Sequence, residues 1–176
     1  MKSVTLTLGL LSVHDCGVVI LPVTIKYETV YNRALSRIND TELAQLMEDD
    51  FYDFLKEWLH SAISLPQFRR QFKSFKLDDE VMTLTFDLNN SVDDIYDTDF
   101  VKTILSEGVI VNYFPSKIDT GVNLSVMIGG KEEKKLLDNY GKIQERLHDL
   151  EVKLGRELAQ HGYYFGKYGS GSGGGE

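Results

Sequence analysis

The chain has 176 residues, 42% hydrophobic and 26% charged, with a formal net charge of -8. That length supports one hydrophobic core with appendages, and the negative balance gives the whole molecule no pull toward nucleic acid or an anionic membrane. A single cysteine, Cys16, excludes an internal disulfide, and neither a secretory signal pattern nor an apolar run of about eighteen residues is present. Folding in a reducing cytoplasm is the expectation.

In chain order, residues 3–8 alternate hydroxyl and apolar side chains and residues 18–26 are rich in β-branched types, so both read as strands. His14, Asp15 and Gly17 make the turn between them, and Pro22 marks the second strand as an edge or bulge because proline gives no ladder donor. Residues 1–26 thus read as a β-hairpin-like arm, which must pack on the body or add to a sheet of another chain. Val30, Tyr31, Ala34, Leu35 and Ile38 then recur at helical spacing over 28–38.

Residues 41–65 carry the strongest periodicity. Leu43, Leu46, Met47, Phe51, Phe54, Leu55, Trp58, Leu59, Ala62 and Ile63 form the stripe of a one-sided helix, with Asp40 or Thr41 as the cap and Pro66 as the stop. Such a helix would rise roughly 37 Å. Its aromatic face needs a large partner surface, which makes it the expected centre of the fold, with Phe51, Phe54, Leu55, Trp58 and Leu59 in the core.

After Pro66, Phe68, Phe72 and Phe75 fall at steps of four and three, with Arg69, Arg70, Lys73 and Lys76 between and beside them. The next window holds Asp78, Asp79, Glu80, Asp87, Asp93, Asp94, Asp97 and Asp99 without a lysine or arginine. Charge is segregated along the chain. Inside that window residues 81–88 alternate well enough for a strand, a loop into the next helix being the other reading. A helix follows over about 99–114, closed by Pro115, and Gly108 within it implies close approach of a neighbouring backbone. Residues 116–130 are rich in turn formers and read as a loop. The last helix, over about 131–160, sets Leu136, Tyr140, Ile143, Leu147, Leu150 and Leu154 at alternating steps of four and three, which places Leu136, Ile143, Leu147 and Leu150 in the helical core. Residues 166–176 have flexible linker composition and are set aside from the fold. The expected fold is mainly α: an antiparallel helical bundle over 27–165 with long central and C-terminal helices, the arm, and one further short strand.

Chemical motifs are scarce. Gly129, Gly130 and Lys131 lack the remaining glycine and hydroxyl of a phosphate loop. His14, Asp15 and Cys16 are sequence neighbours, whereas triads assemble from separated segments. The four histidines show no metal-ligand spacing, and Asp93, Asp94, Asp97 and Asp99 lack the turn glycine and distal glutamate of a calcium loop. The chain reads as a protein without cofactors and not as an enzyme. The basic segment with its phenylalanines is the one patch suited to phosphate contact and stacking. The preferred reading is an oligomer interface, in which Arg69, Arg70, Lys73 and Lys76 of one copy meet Asp78, Asp79 and Glu80 of the next.

The order RALSRINDTELAQL, FLKEWLHSAI, ILSEGVIVNYFPSKI, NLSVMIGGKEEK and a Leu-striped helix ending in YYF resembles bacteriophage head–tail connector proteins, the neck or adaptor subunits beneath the portal of tailed phages. The likeness covers about 30–165. Its landmarks are Arg37-Ile38-Asn39-Asp40, Leu59 with Ala62 and Ile63, Gly108 through Pro115, and Lys131-Glu132; the N-terminal arm is longer than the leader of such subunits. The resemblance implies a structural virion protein, assembled in the host cytoplasm, that forms a homo-oligomeric ring, commonly twelvefold. Such a ring contacts the portal and the tail or other neck proteins, and passes genomic DNA without binding it specifically or touching a membrane. Asp93, Asp94 and Asp97 would then face the channel or a neighbour, where negative walls repel phosphate. The rival expectation is a small phage-encoded regulatory protein that inhibits a host protein.

Overall fold

The computed structural model describes residues 22–38, 43, 48–128 and 130–166, without the side chains of 48, 49, 120–128, 130–132 and 136. The arm before Pro22, with Cys16 and its turn, lies outside them, as do the Asp40 or Thr41 cap and the tail from 167 onward. The described elements are strand β1 (Val23–Lys26), helices α1 (Tyr27–Leu35), α2 (Glu48–Ser64) and α3 (Pro66–Arg69), strands β2 (Phe72–Asp78) and β3 (Thr83–Leu88), and helices α4 (Asp94–Ile128) and α5 (Gly130–Phe165). The described residues are mainly helical, with one small antiparallel sheet among them. No described helix is long and apolar enough to cross a membrane.

The sheet runs β1-β3-β2, with Ile25 opposite Leu84 and Leu77 opposite Leu84 on the other side. Among the described strands β1 lies at one edge, and it begins just after Pro22, which costs no bond of the β1–β3 ladder. β3 buries every second residue, Leu84, Phe86 and Leu88, the two-residue period of a half-covered strand. Residues 72–78, whose phenylalanines fall at helical spacing, are the second long strand instead. The ladder slips between Phe72 and Ser74, and this bulge lets two residues three apart face the same side. Phe72 therefore lies opposite Leu88 and Phe75 opposite Phe86, and their rings sit 5.5 Å apart.

Helix α1 buries Tyr27, Val30, Tyr31 and Ala34, one stripe of an amphipathic helix. α2 buries Leu55, Leu59, Ala62 and Ile63. Phe51 and Trp58 pack partly against this core, but Phe54 is 44% exposed and stacks on the outer side of Trp58 at 6.0 Å. The buried stripe of α2 is thus narrower than its apolar sequence, and the placement of Phe54 in the core is corrected.

The centre of the fold is α4 rather than α2. All of 104–110 is buried, and α4 packs against α1, α2, α5 and β1. A helix apolar all round needs neighbours on every side. Gly108 is where α2 comes closest: a Cβ there would lie 2.7 Å from Ala62 Cβ and 2.9 Å from Phe68 Cζ. Two expectations fail in this helix. Pro115 does not end it, and 116–128 is helix, not loop. The proline is exposed and removes one backbone hydrogen bond, while Tyr113, Phe114 and Ile118 on either side are buried and hold the helix in register across it.

α5 returns antiparallel to α4. Phe100 meets His161 and Glu107 meets Lys153, so the start of α4 lies beside the end of α5. Tyr163, Tyr164 and Phe165 belong to the last turn of α5.

Candidate functional site

The carboxy-terminal turns of α5 carry a hollow on each side. The first, about 720 Å³, lies against α3 and is lined by Gln67, Arg70, Gln71, Asn90, Gly155, Leu158, Ala159, Gly162, Tyr163 and Gly166. The second, about 350 Å³, lies against the start of α4 and is lined by Tyr96, Asp99, Phe100, Thr103, Glu157, Gln160, His161, Tyr164 and Phe165. At about 100° per residue, the α5 residues of the first hollow centre on one face of the helix and those of the second on the opposite face. Their charges differ in sign. Arg70 is the one charged residue lining the first; Asp99 and Glu157 line the second without a lysine or arginine.

The second hollow is built around His161, which is 3% exposed. Its ring stacks on Phe100 at 3.9 Å and 11°, with Tyr96 at 6.1 Å and Phe165 at 5.3 Å. Neither ring nitrogen has a hydrogen-bond partner. Burial lowers the pKa of the imidazole, against the pull of the Asp97 carboxylate, so the neutral form is favoured. Asp93 positions this end of α4 as its cap, its Oδ1 accepting the N–H of Ile95 at 2.9 Å and of Tyr96 at 2.8 Å.

Behind the hollow lies a buried acid that sequence reading missed. Glu107 is fully buried, and its Oε1 accepts hydrogen bonds from Arg37 Nη1 at 3.0 Å and from Lys153 Nζ. The ammonium of Lys153 also lies 3.3 Å from Glu157. Hydrogen bonding to Glu107 raises the pKa of Lys153, while burial and the nearby Glu107 charge raise that of Glu157. Arg33 pairs with Asp99 and donates to Thr103 Oγ1 at 2.6 Å. The only sequence signal was one charged residue inside the apolar run 104–110.

The residues singled out for the oligomer interface lie on α3, β2 and the turn after β2. The Arg69 guanidinium sits 4.2 Å above the Phe75 ring. Lys73 pairs with Asp87 at 3.0 Å and Lys76 with Asp78 at 3.8 Å, all within the chain. Asp79 Oδ1 accepts from Tyr27 Oη at 2.8 Å and meets His60 Nε2 at 3.0 Å. Its partial burial raises its pKa, but the bonds from Tyr27 and His60 outweigh that and hold the carboxyl below its usual range. Glu80 is exposed. Arg70 is exposed too, and among the described residues no carboxylate pairs with its guanidinium.

Asp93 and Asp94 are exposed at the start of α4. Asp97 is not: it is 3% exposed, and its Oδ1 accepts the Val92 N–H at 3.0 Å. Its side chain is buried within its own chain, unlike those of Asp93 and Asp94. Among the described residues no group of three or more His, Cys, Asp or Glu side chains is placed to hold a metal ion.

The stripe predicted for the last helix is only partly used. From Glu133 to Lys153 no described side chain is fully buried. Ile143, Leu147 and Leu150 pack against the edge of the core and are only partly buried, which corrects their placement inside it, and Leu137 and Val152 are 44% and 46% exposed. The side chain of Leu136 lies outside the description. Leu154 and Leu158, nearer the body, are buried.

Comparison of this chain with protein-family models, curated proteins and solved structures found no match.

Proposed function

We propose that this protein is a structural subunit of a bacteriophage head–tail connector, whose copies stand side by side in a ring beneath the portal, extend the DNA channel and offer the tail a docking surface. The observation that carries the proposal is the partly covered stripe of α5. Ile143, Leu147 and Leu150 keep the spacing of a helix–helix seam, yet each packs on the core and stays partly exposed. Each partly open leucine is a standing incentive for association, since burying apolar surface stabilises by roughly 25 cal/mol per Å². The likeness of 30–165 to connector subunits supplies the biological setting, and the exposed Asp93 and Asp94 supply negative charge for a surface past which DNA moves. The role is mechanical, with no bond made or broken.

Gold-labelled antibody against the full chain, applied to phage particles and to tailless heads, tests the reading. Label at the junction between head and tail is expected. Particles without label there, with the chain instead recovered on a host protein, would replace the connector with the regulatory reading.

A further inference from the structure

The two hollows that flank the end of α5 differ in a way that a repeated subunit can exploit. One displays an arginine, the other an aromatic box with two carboxylates, and they face opposite directions. Surfaces that are unlike and back to back join copies head to tail, and a suitable rotation closes such a chain into a ring.

We propose that Arg70 of one copy enters the hollow of Tyr96, Glu157, His161 and Tyr164 on the next copy, so that this contact is the repeating joint of the assembly. The inference rests on the ring reading given above and names the surface that makes the ring.

Two features of the hollow fit a guanidinium. Its walls are ring faces, and a planar cation stacks favourably on them. Asp99 and Glu157, the carboxylates that line it, each hold one cation of their own chain, Arg33 and Lys153, and an ionised carboxylate has lone pairs for a further donor. Arg70 is the natural donor among the basic residues of the α3–β2 segment. Lys73 and Lys76 are paired within their own chain and Arg69 lies on Phe75, whereas Arg70 is exposed beside the opposite hollow.

The test uses the full chain carrying Cys16→Ser, with either Gln67→Cys beside Arg70 or Gln160→Cys at the second hollow, so that Arg70 and the aromatic walls stay in place. Both positions are exposed, so neither change disturbs the core, and circular dichroism checks that the fold is kept. The two variants are concentrated separately and together and treated with a short bis-maleimide. A cross-linked dimer in the mixture and not in either variant alone is expected, as is a ladder from the chain carrying both cysteines. A second measurement is sedimentation of Arg70→Glu, expected to associate at least about tenfold more weakly than the parent, as for loss of a close charge pair. Cross-linking of either variant with itself would mean a two-fold contact and overturn the proposal. So would a mixture that gives no mixed dimer. A mixed dimer from a chain absent from the virion junction would leave the joint standing and remove the connector reading; label at the junction without the mixed dimer would remove the joint alone.

Discussion

The body of the protein and the outer part of its last helix use the same kind of apolar stripe to different ends. In the body, α1 and α2 press their stripes onto α4, whose residues 104–110 are buried on all sides. In α5 the stripe is just as regular, but from Glu133 to Lys153 no described side chain is fully buried. Periodicity therefore shows that a face wants cover; only the packing shows whether the chain supplies it.

The sharpest way to break this contrast is a pair of truncations on one helix. Leu154→Ala, at a buried site, is expected to cost about 2–5 kcal/mol of unfolding free energy, while Leu147→Ala on dilute chain costs less, under about 2 kcal/mol, because part of its surface already meets water. Equal losses in denaturant titrations would mean that the chain covers α5 by itself. The second test is Gly108→Ala. The added Cβ would collide with Ala62 and Phe68, so a loss of about 1–3 kcal/mol is expected despite the better helix propensity of alanine. A stabilised variant would place α2 farther from α4 than described.

Glu107→Gln addresses the charged seam between the two regions. Arg37 and Lys153 are partly exposed and can return to water, so the expected loss is about 1–3 kcal/mol, that of charge-assisted hydrogen bonds. The smallest effect concerns pH. His161 has its folded-state pKa lowered from 6.5 by burial, so below that value the unfolded chain takes up a proton that the folded chain resists. Stability is then full above the unfolded value and declines as pH falls through it. In His161→Phe that part of the decline should vanish, read as a flatter melting temperature between about pH 7.5 and 5.5.

Local chemistry explains which parts of this fold were legible in the sequence. Val30, Tyr31 and Ala34 mark α1, the alternation of Leu84, Phe86 and Leu88 marks β3, and Gly108 announces the close approach of α2. Where long-range packing overrode a local signal, the reading failed. Pro115 and the turn formers after it suggest a stop and a loop, but Tyr113, Phe114 and Ile118 anchor α4 on both sides of the proline. The bulge in β2 gave Phe72 and Phe75 a helical spacing on a strand. The hollow was invisible because Tyr96, Glu157 and His161 come from two distant segments, and only the antiparallel register of α4 and α5 brings them together. Asp97, read as a surface acid, is instead tied to Val92.

Hydroxyl-radical footprinting of Ile143, Leu147 and Leu150, on dilute chain and on the assembled form, tests most directly whether other copies complete the cover of α5. The account predicts several-fold protection of these three residues on assembly, with Phe54, exposed on α2, as a reference for labelling in the dilute chain. Equal labelling of the three in both states would contradict it.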